Sequence, residues 1–63
     1  MDSAAVIRVL RQAGWRLDRV RGSHHIFRHP ERTGTVVVQR PRKDLPIGTL
    51  RQIERQAGLR LRS

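Results

Sequence analysis

The chain has 63 residues, contains no cysteine, and has only two aromatic residues, Trp15 and Phe27. Without cysteine it can form neither a disulfide framework nor a thiolate metal site, which excludes disulfide-stabilised secreted domains. Its longest apolar run, residues 4–7, is far shorter than the ~20 residues of a membrane span. Arg8 and Arg11 interrupt the first segment, which therefore lacks the apolar stretch of a signal peptide. We expect no membrane association and a cytoplasmic location.

Acidic residues are also scarce. Five Asp and Glu residues stand against fourteen Lys and Arg residues, so the formal net charge is +9 at pH 7, and thirteen of the basic residues are arginine. The planar guanidinium of arginine pairs bidentately with phosphate and stacks on unpaired bases. This composition predicts contact with nucleic acid rather than a merely solvated basic surface. Charge alone separates neither RNA from DNA nor binding from cleavage.

The length allows one domain, and we expect residues 1–63 to form it. A chain this short buries only about 60% of the surface that it exposes when unfolded. Its core should therefore stabilise the fold by only about 3–5 kcal/mol. A partner that binds the folded state would add to that stability.

The spacing of apolar residues predicts a helix near each end of the chain. The first lies between residues 2 and 13, with Ser3 as N-cap and Gly14 at its end. The second follows Pro46, with Asp44 as a candidate N-cap, and ends at Gly58. The apolar positions that define the two helices are Val6, Val9, Leu10 and Ala13, and Ile47, Leu50, Ile53 and Ala57.

Alternating and β-branched residues predict three strands in the middle, at residues 15–20, 24–28 and 35–39. Residues 21–23 are expected to form a turn and residues 30–34 a longer hairpin loop. Such short connections favour antiparallel pairing. The sequence therefore predicts an α+β fold in the order α-β-β-β-α, with two helices on one face of a three-stranded antiparallel sheet. The other face is left open to a ligand.

The second predicted strand holds the residues best suited to catalysis. Side chains alternate between the faces of a strand, so if Phe27 points into the core, His24 and Arg28 project from the open face. An imidazole there can take a proton from a ribose 2′-hydroxyl while a guanidinium stabilises charge on the phosphate. Histidine suits this work because its unperturbed pKa lies near cellular pH.

Other interpretations of the histidines remain open. If Ile26 is the core residue of the strand instead, His25 becomes the exposed histidine. An exposed strand histidine is also commonly an ordinary surface residue. A metal site built from His24, His25 and His29 is disfavoured, because adjacent strand residues point to opposite faces and cannot converge on an ion. We therefore predict no metal ligands in the chain.

A second basic segment, residues 39–46, joins the third strand to the second helix. Arg40, Arg42 and Lys43 are predicted to line a track for phosphates that leads to the positive N-terminus of that helix. An ordinary polar connection is the alternative. Trp15 is expected to belong to the core rather than to stack on a base.

Several stretches, which occur in the same order as in the family and are spread along most of the chain, resemble the HicA family of type II toxins. They are Gly14-Trp15, residues 22–30 (GSHHIFRHP), residues 34–38 (GTVVV), residues 43–50 (KDLPIGTL), Ile53 and residues 56–58 (QAG). The resemblance implies a fold similar to double-stranded-RNA-binding domains. It also implies an mRNA interferase, an endoribonuclease that cleaves transcripts without a metal or other cofactor and so inhibits translation and growth.

The resemblance also implies a partner and a site. HicA proteins are neutralised by a HicB antitoxin, which binds the toxin and occludes its active site. The catalytic histidine of the family's Gly-Ser-His motif falls on His24. His25 is the reserve, because some members carry asparagine followed by histidine. The residues expected to contact RNA are Gly22, Ser23, Arg28, Arg40, Arg42 and Lys43.

One departure from the family pattern affects the prediction. The family commonly reads Val-Pro-His-Pro-Lys-Lys after the third strand, whereas this chain has Gln39 and Arg40 in place of the proline and histidine. If that histidine is a second acid or base, this chain would be slow or inactive; if it contacts phosphate, Arg40 would serve. The alternatives to a nuclease are a non-catalytic RNA-binding module of the same fold and a purely protein-binding domain. For the antitoxin we expect an acidic binding surface.

Overall fold

The computed structural model describes residues 1–61. In chain order these form α1 (Ser3–Gln12), β1 (Arg16–Arg21), β2 (His24–His29), β3 (Arg32–Gln39) and α2 (Ile47–Ala57). The strands form one antiparallel sheet in the order β1-β2-β3. The predicted α-β-β-β-α architecture is confirmed.

A single core joins both helices to one face of the sheet. Phe27 of β2 is opposite Val36 of β3, and both are buried. Trp15 lies in the same cluster, as expected. Most of the apolar residues that helical spacing predicted are buried, but Val9 is only half-buried, and Ala13 and Ile47 are exposed. The core residues from the helices are Val6, Ile7, Leu10, Leu50, Ile53 and Ala57.

The first strand is more exposed than its alternating pattern predicted. All six residues of β1 are exposed, including Leu17 and Val20. Leu17 pairs with Phe27, and directly opposed residues share a face, so Leu17 lies on the helix side of the sheet. The helices make their main strand contacts with β3, at the other edge. Because they do not extend over β1, its apolar side chains remain in solvent.

The helix N-caps also differ from the prediction. Asp2 caps α1, since its Oδ1 accepts a hydrogen bond of 2.8 Å from the Ala5 N–H. Ser3 is instead buried, and its Oγ accepts the N–H of Arg42 at 3.0 Å. Asp44 does not cap α2, which begins after Pro46. Its carboxylate pairs with the N-terminal ammonium at 3.1 Å.

The second hairpin is tighter than predicted. Only Pro30 and Glu31 form the turn, and β3 already begins at Arg32. The pairing register shifts between Phe27 and His29. Gly34, with φ +80°, supplies the left-handed backbone that lets β3 accommodate this irregularity. The glycine that suggested a loop is therefore part of a strand.

Candidate active site

His24 begins β2, and its side chain is exposed. Phe27 lies in the core, so the alternation of side chains places His24 on the opposite face of the sheet. The strand register sets it between Arg21 of β1 and Gln39 of β3. Within residues 1–61 the His24 ring makes no hydrogen bond. Both ring nitrogens are therefore available to a substrate.

The turn before His24 is tied to the end of β3. Gly22 has φ +61°, a left-handed conformation that glycine adopts without steric cost. The carbonyl of Ser23 accepts the Arg40 N–H at 2.7 Å. This bond keeps the backbone of Arg40 against the Gly22-Ser23 turn, one residue from His24.

The basic loop after β3, which contains Arg40, Arg42 and Lys43, is held by hydrogen bonds of Arg42 to α1 and to the end of β3. Arg42 forms two hydrogen bonds with Ser3: the Ser3 N–H donates to the Arg42 carbonyl (2.9 Å), and the Arg42 N–H donates to the side-chain Oγ of Ser3 (3.0 Å). Its Nη1 donates to Oε1 of Gln39 at 2.9 Å. Because Gln39 is the cross-strand partner of His24, this bond ties the Arg42 guanidinium to the residue that lies opposite the imidazole in the sheet. Lys43 is exposed beside Arg40 along the same loop.

Arg28 lies at the far end of β2, away from His24. Arg28 is four positions after His24 along the strand, which corresponds to about 13 Å. The Nε of Arg28 is 3.5 Å from Oδ2 of Asp18, an oxygen that also lies 3.4 Å from Nη1 of Arg19. His24 and Arg28 are both exposed on the open face, as expected, but they do not lie beside each other. The cationic residue directly across from His24 is Arg21, which sequence reasoning missed.

The rings of the other two histidines, His25 and His29, contact backbone groups of the protein. His25 is half-buried, with Nδ1 3.4 Å from the carbonyl of Ser23. His29 accepts the Glu31 N–H on Nδ1 (3.0 Å), so its Nε2 carries the proton that is donated to the Ala13 carbonyl (2.9 Å). Its ring also meets Trp15 edge-on, with centroids 5.3 Å apart. In the described part of the chain, no three metal-ligating side chains lie close enough to hold a metal ion.

A groove of about 300 Å³ opens beside His24, between β3 and α2. Its sheet side is formed by Thr35, Val37 and Gln39. Its helix side is formed by Thr49, Gln52, Ile53 and Gln56. No sequence pattern predicts this groove, because it depends on how α2 packs beside β3.

Neither helix in residues 1–61 has the length and apolar character needed to cross a membrane.

Comparisons with known proteins agree with the observed fold. The family model described as HicA toxin of bacterial toxin-antitoxin matches residues 3–59. A solved structure titled "HicA3 and HicB3 toxin-antitoxin complex" contains a chain that superposes with a TM-score of 0.87 at 33% sequence identity, covering 98% of this chain and 100% of that one. A comparison with curated proteins finds no match.

Proposed function

Because this chain belongs to the HicA family of toxins from bacterial toxin–antitoxin systems, we propose that it cleaves mRNA in the cytoplasm, with His24 as general base. The observation that carries the proposal is the accessible His24 imidazole at the start of β2, between Arg21 and Gln39. An imidazole in such a position meets the geometric requirement for general base catalysis, since a substrate hydroxyl can approach it.

The proposed reaction is an attack within the RNA strand. His24 takes the proton of a ribose 2′-hydroxyl, and the 2′-oxygen forms a bond to the neighbouring phosphorus. The bond from phosphorus to the 5′-oxygen breaks, and that oxygen takes up a proton from solvent. The products are a 2′,3′-cyclic phosphate and a 5′-hydroxyl. No cofactor takes part in these steps.

Arginines near His24 would bind the RNA backbone and stabilise the negative charge that develops on the phosphate. Arg21 is across the hairpin, Arg40 is tied to Ser23, and Arg42 is held by Gln39. Guanidinium groups suit this role because they pair bidentately with phosphate oxygens. Lys43 would continue the track along the loop, and Arg28 would contact phosphates further along β2. The Gly22-Ser23 turn has small side chains, which would let the RNA backbone come close to the protein backbone there.

A HicB-like antitoxin is the proposed protein partner. The similar solved structure is a complex between HicA3 and HicB3. With a net charge of +9, this chain would pair with an acidic surface, and covering His24 would block access of RNA. Opposite charges of this size accelerate association and make it sensitive to salt.

A non-catalytic RNA-binding module is the second candidate. The observation in its favour is that Gln39 and Arg40 stand where the family commonly has proline and histidine. Among the groove-lining residues, His24 is the only imidazole. Such a module would use the same face for RNA and leave the strand intact.

Incubation of labelled single-stranded mRNA with stoichiometric protein in EDTA distinguishes the two candidates. We expect shortened RNA with 2′,3′-cyclic phosphate and 5′-hydroxyl ends. RNA that stays intact while it is retained by the protein in a salt-sensitive manner would contradict the nuclease proposal and support the binding module. Products with 3′-hydroxyl and 5′-phosphate ends would contradict the proposed attack by the 2′-hydroxyl.

A further inference from the structure

The groove beside His24 differs in chemistry from the rest of the molecule. Lys, Arg, Asp and Glu make up 30% of the chain, yet within residues 1–61 none of them lines this groove. Its lining combines hydroxyl and amide side chains with the apolar surfaces of Val37 and Ile53. A phosphate would favour the arginines outside the groove, so the groove itself suits an uncharged group that carries hydrogen-bond donors and acceptors.

One stripe of α2 supplies the helix side of the groove. Thr49, Gln52 and Gln56 recur at helical intervals, so they lie along one face. Arg51 and Arg55 alternate with them in sequence and do not line the groove. The helix therefore directs its neutral polar residues toward His24 and its charged residues elsewhere.

The polar groups of this lining are available to a ligand. Within the described chain, the side chains of Thr35, Thr49, Gln52 and Gln56 form no hydrogen bond. Each Gln amide offers both a donor and an acceptor, which allows paired hydrogen bonds to the edge of a base. Val37, which is 42% exposed, offers an apolar surface for the plane of a ring.

We propose that this groove binds one unpaired base of the RNA substrate, at the nucleotide whose ribose faces His24. The inference rests on the proposed ribonuclease function and deepens it. Gln52 and Gln56 hydrogen-bond the base edge, while the arginines bind the neighbouring phosphates. The volume of about 300 Å³ lies at the lower end of the range for small-ligand sites, which fits one nucleoside-sized group. Base identity at the cut site is then selected in the groove.

Binding of uncleavable oligonucleotides tests the groove directly. The probes are short 2′-O-methyl RNAs, which lack the free 2′-hydroxyl, with an abasic residue placed at successive positions. For the wild-type chain, we expect one abasic position to lower affinity about tenfold, because the hydrogen bonds to that base are lost. Equal affinity for all probes would overturn the proposal.

Two variants connect that effect to the groove. The double variant Gln52→Ala/Gln56→Ala is expected to bind base-containing and abasic probes equally. Alanine favours helix, and circular dichroism would verify the fold. Gln12→Ala is the matched control, because Gln12 is an exposed residue of α1 outside the groove, and it should keep the tenfold difference. A double variant that keeps this difference would also overturn the proposal.

Cleavage of a randomised single-stranded RNA pool separates this inference from the proposed function. The wild-type chain should cut with a base preference at one position, and the double variant should cut with that preference reduced about tenfold. Cleavage by the wild type without any base preference would refute the groove proposal and leave the nuclease. Base-dependent binding without cleavage would refute the nuclease and leave the groove.

Discussion

At the scale of single residues, His24 and His29 use the same side chain in opposite ways. Both nitrogens of His29 are occupied by backbone groups of Ala13 and Glu31, and its ring packs on Trp15. The His24 ring is exposed and makes no hydrogen bond within residues 1–61. A catalytic imidazole must bind and release a proton, which a ring engaged at both nitrogens cannot do without breaking structure. This contrast supports His24 as the catalytic candidate.

Gln39 connects the basic loop to the strand position opposite His24, because it pairs with His24 in the sheet and hydrogen-bonds Arg42. Its Oε1 fixes the Arg42 guanidinium at 2.9 Å. The variant Gln39→Met keeps the length of the side chain and removes the acceptor. We expect a loss of RNA affinity of about threefold to tenfold, as for one hydrogen bond, measured as an increase in KM at little changed kcat.

A double-mutant cycle checks that Gln39 acts through Arg42. In an Arg42→Ala background the effect of Gln39→Met should disappear, because the partner of the amide is already gone. Full additivity of the two substitutions would show that Gln39 influences RNA in some other way.

Sequence reasoning predicted the face of His24 but not its neighbours. The face followed from local alternation once Phe27 was placed in the core. The neighbours depend on register and packing: the two-residue turn sets Arg21 opposite His24, and the loop after β3 brings Arg42 to Gln39. Alternation along β2 placed Arg28 on the same face as His24, but a spacing of four positions along an extended strand also puts it about 13 Å away.

At the scale of elements, helices were predicted more accurately than strands because helical spacing is local. The lengths of β3 and its hairpin depended on Gly34, which the sequence could not assign to a turn or to an irregular strand. The exposure of β1 depended on how far the helices extend over the sheet. Both are long-range properties, and the groove between β3 and α2 is a third.

Gly48 in α2 and Gly58 directly after it provide a prediction of stability. Gly58 ends the helix with φ +67°, and a Cβ there would meet the Arg32 guanidinium. Gly58→Ala should therefore lower the free energy of unfolding by about 1–2 kcal/mol. Gly48 is helical with open space around it, so Gly48→Ala should raise stability by up to about 1 kcal/mol.

Urea unfolding of both variants measures the two effects on the same helix. Shifts of the unfolding midpoint in opposite directions are expected. A loss of stability in Gly48→Ala would contradict its place within α2. No loss of stability in Gly58→Ala would contradict the end of α2 at Gly58.

At the scale of the whole molecule, the high net charge and the small size both predict that the stability of the fold increases when a partner binds. The chain carries +9 on 63 residues, so its own charges repel one another. An acidic antitoxin would relieve that repulsion and stabilise the fold by mass action, by about 2.7 kcal/mol at a concentration of 100 Kd.

Two measurements with a purified HicB-like partner check this prediction. The association rate constant should fall roughly tenfold or more from low to high salt. The unfolding midpoint of the toxin should rise as the partner is added. A rate insensitive to salt, or a midpoint unmoved by saturating partner, would contradict the electrostatic account.

The RNA cleavage rate of His24→Ala, compared with that of His25→Ala, tests whether His24 is the general base. Both substitutions remove one imidazole from β2, but His24 is exposed whereas His25 is half-buried. Loss of a general base should lower the rate of His24→Ala at least about 100-fold, with an unfolding midpoint close to that of the wild type. His25→Ala should retain most of the activity. Undiminished cleavage by a folded His24→Ala chain would contradict the account.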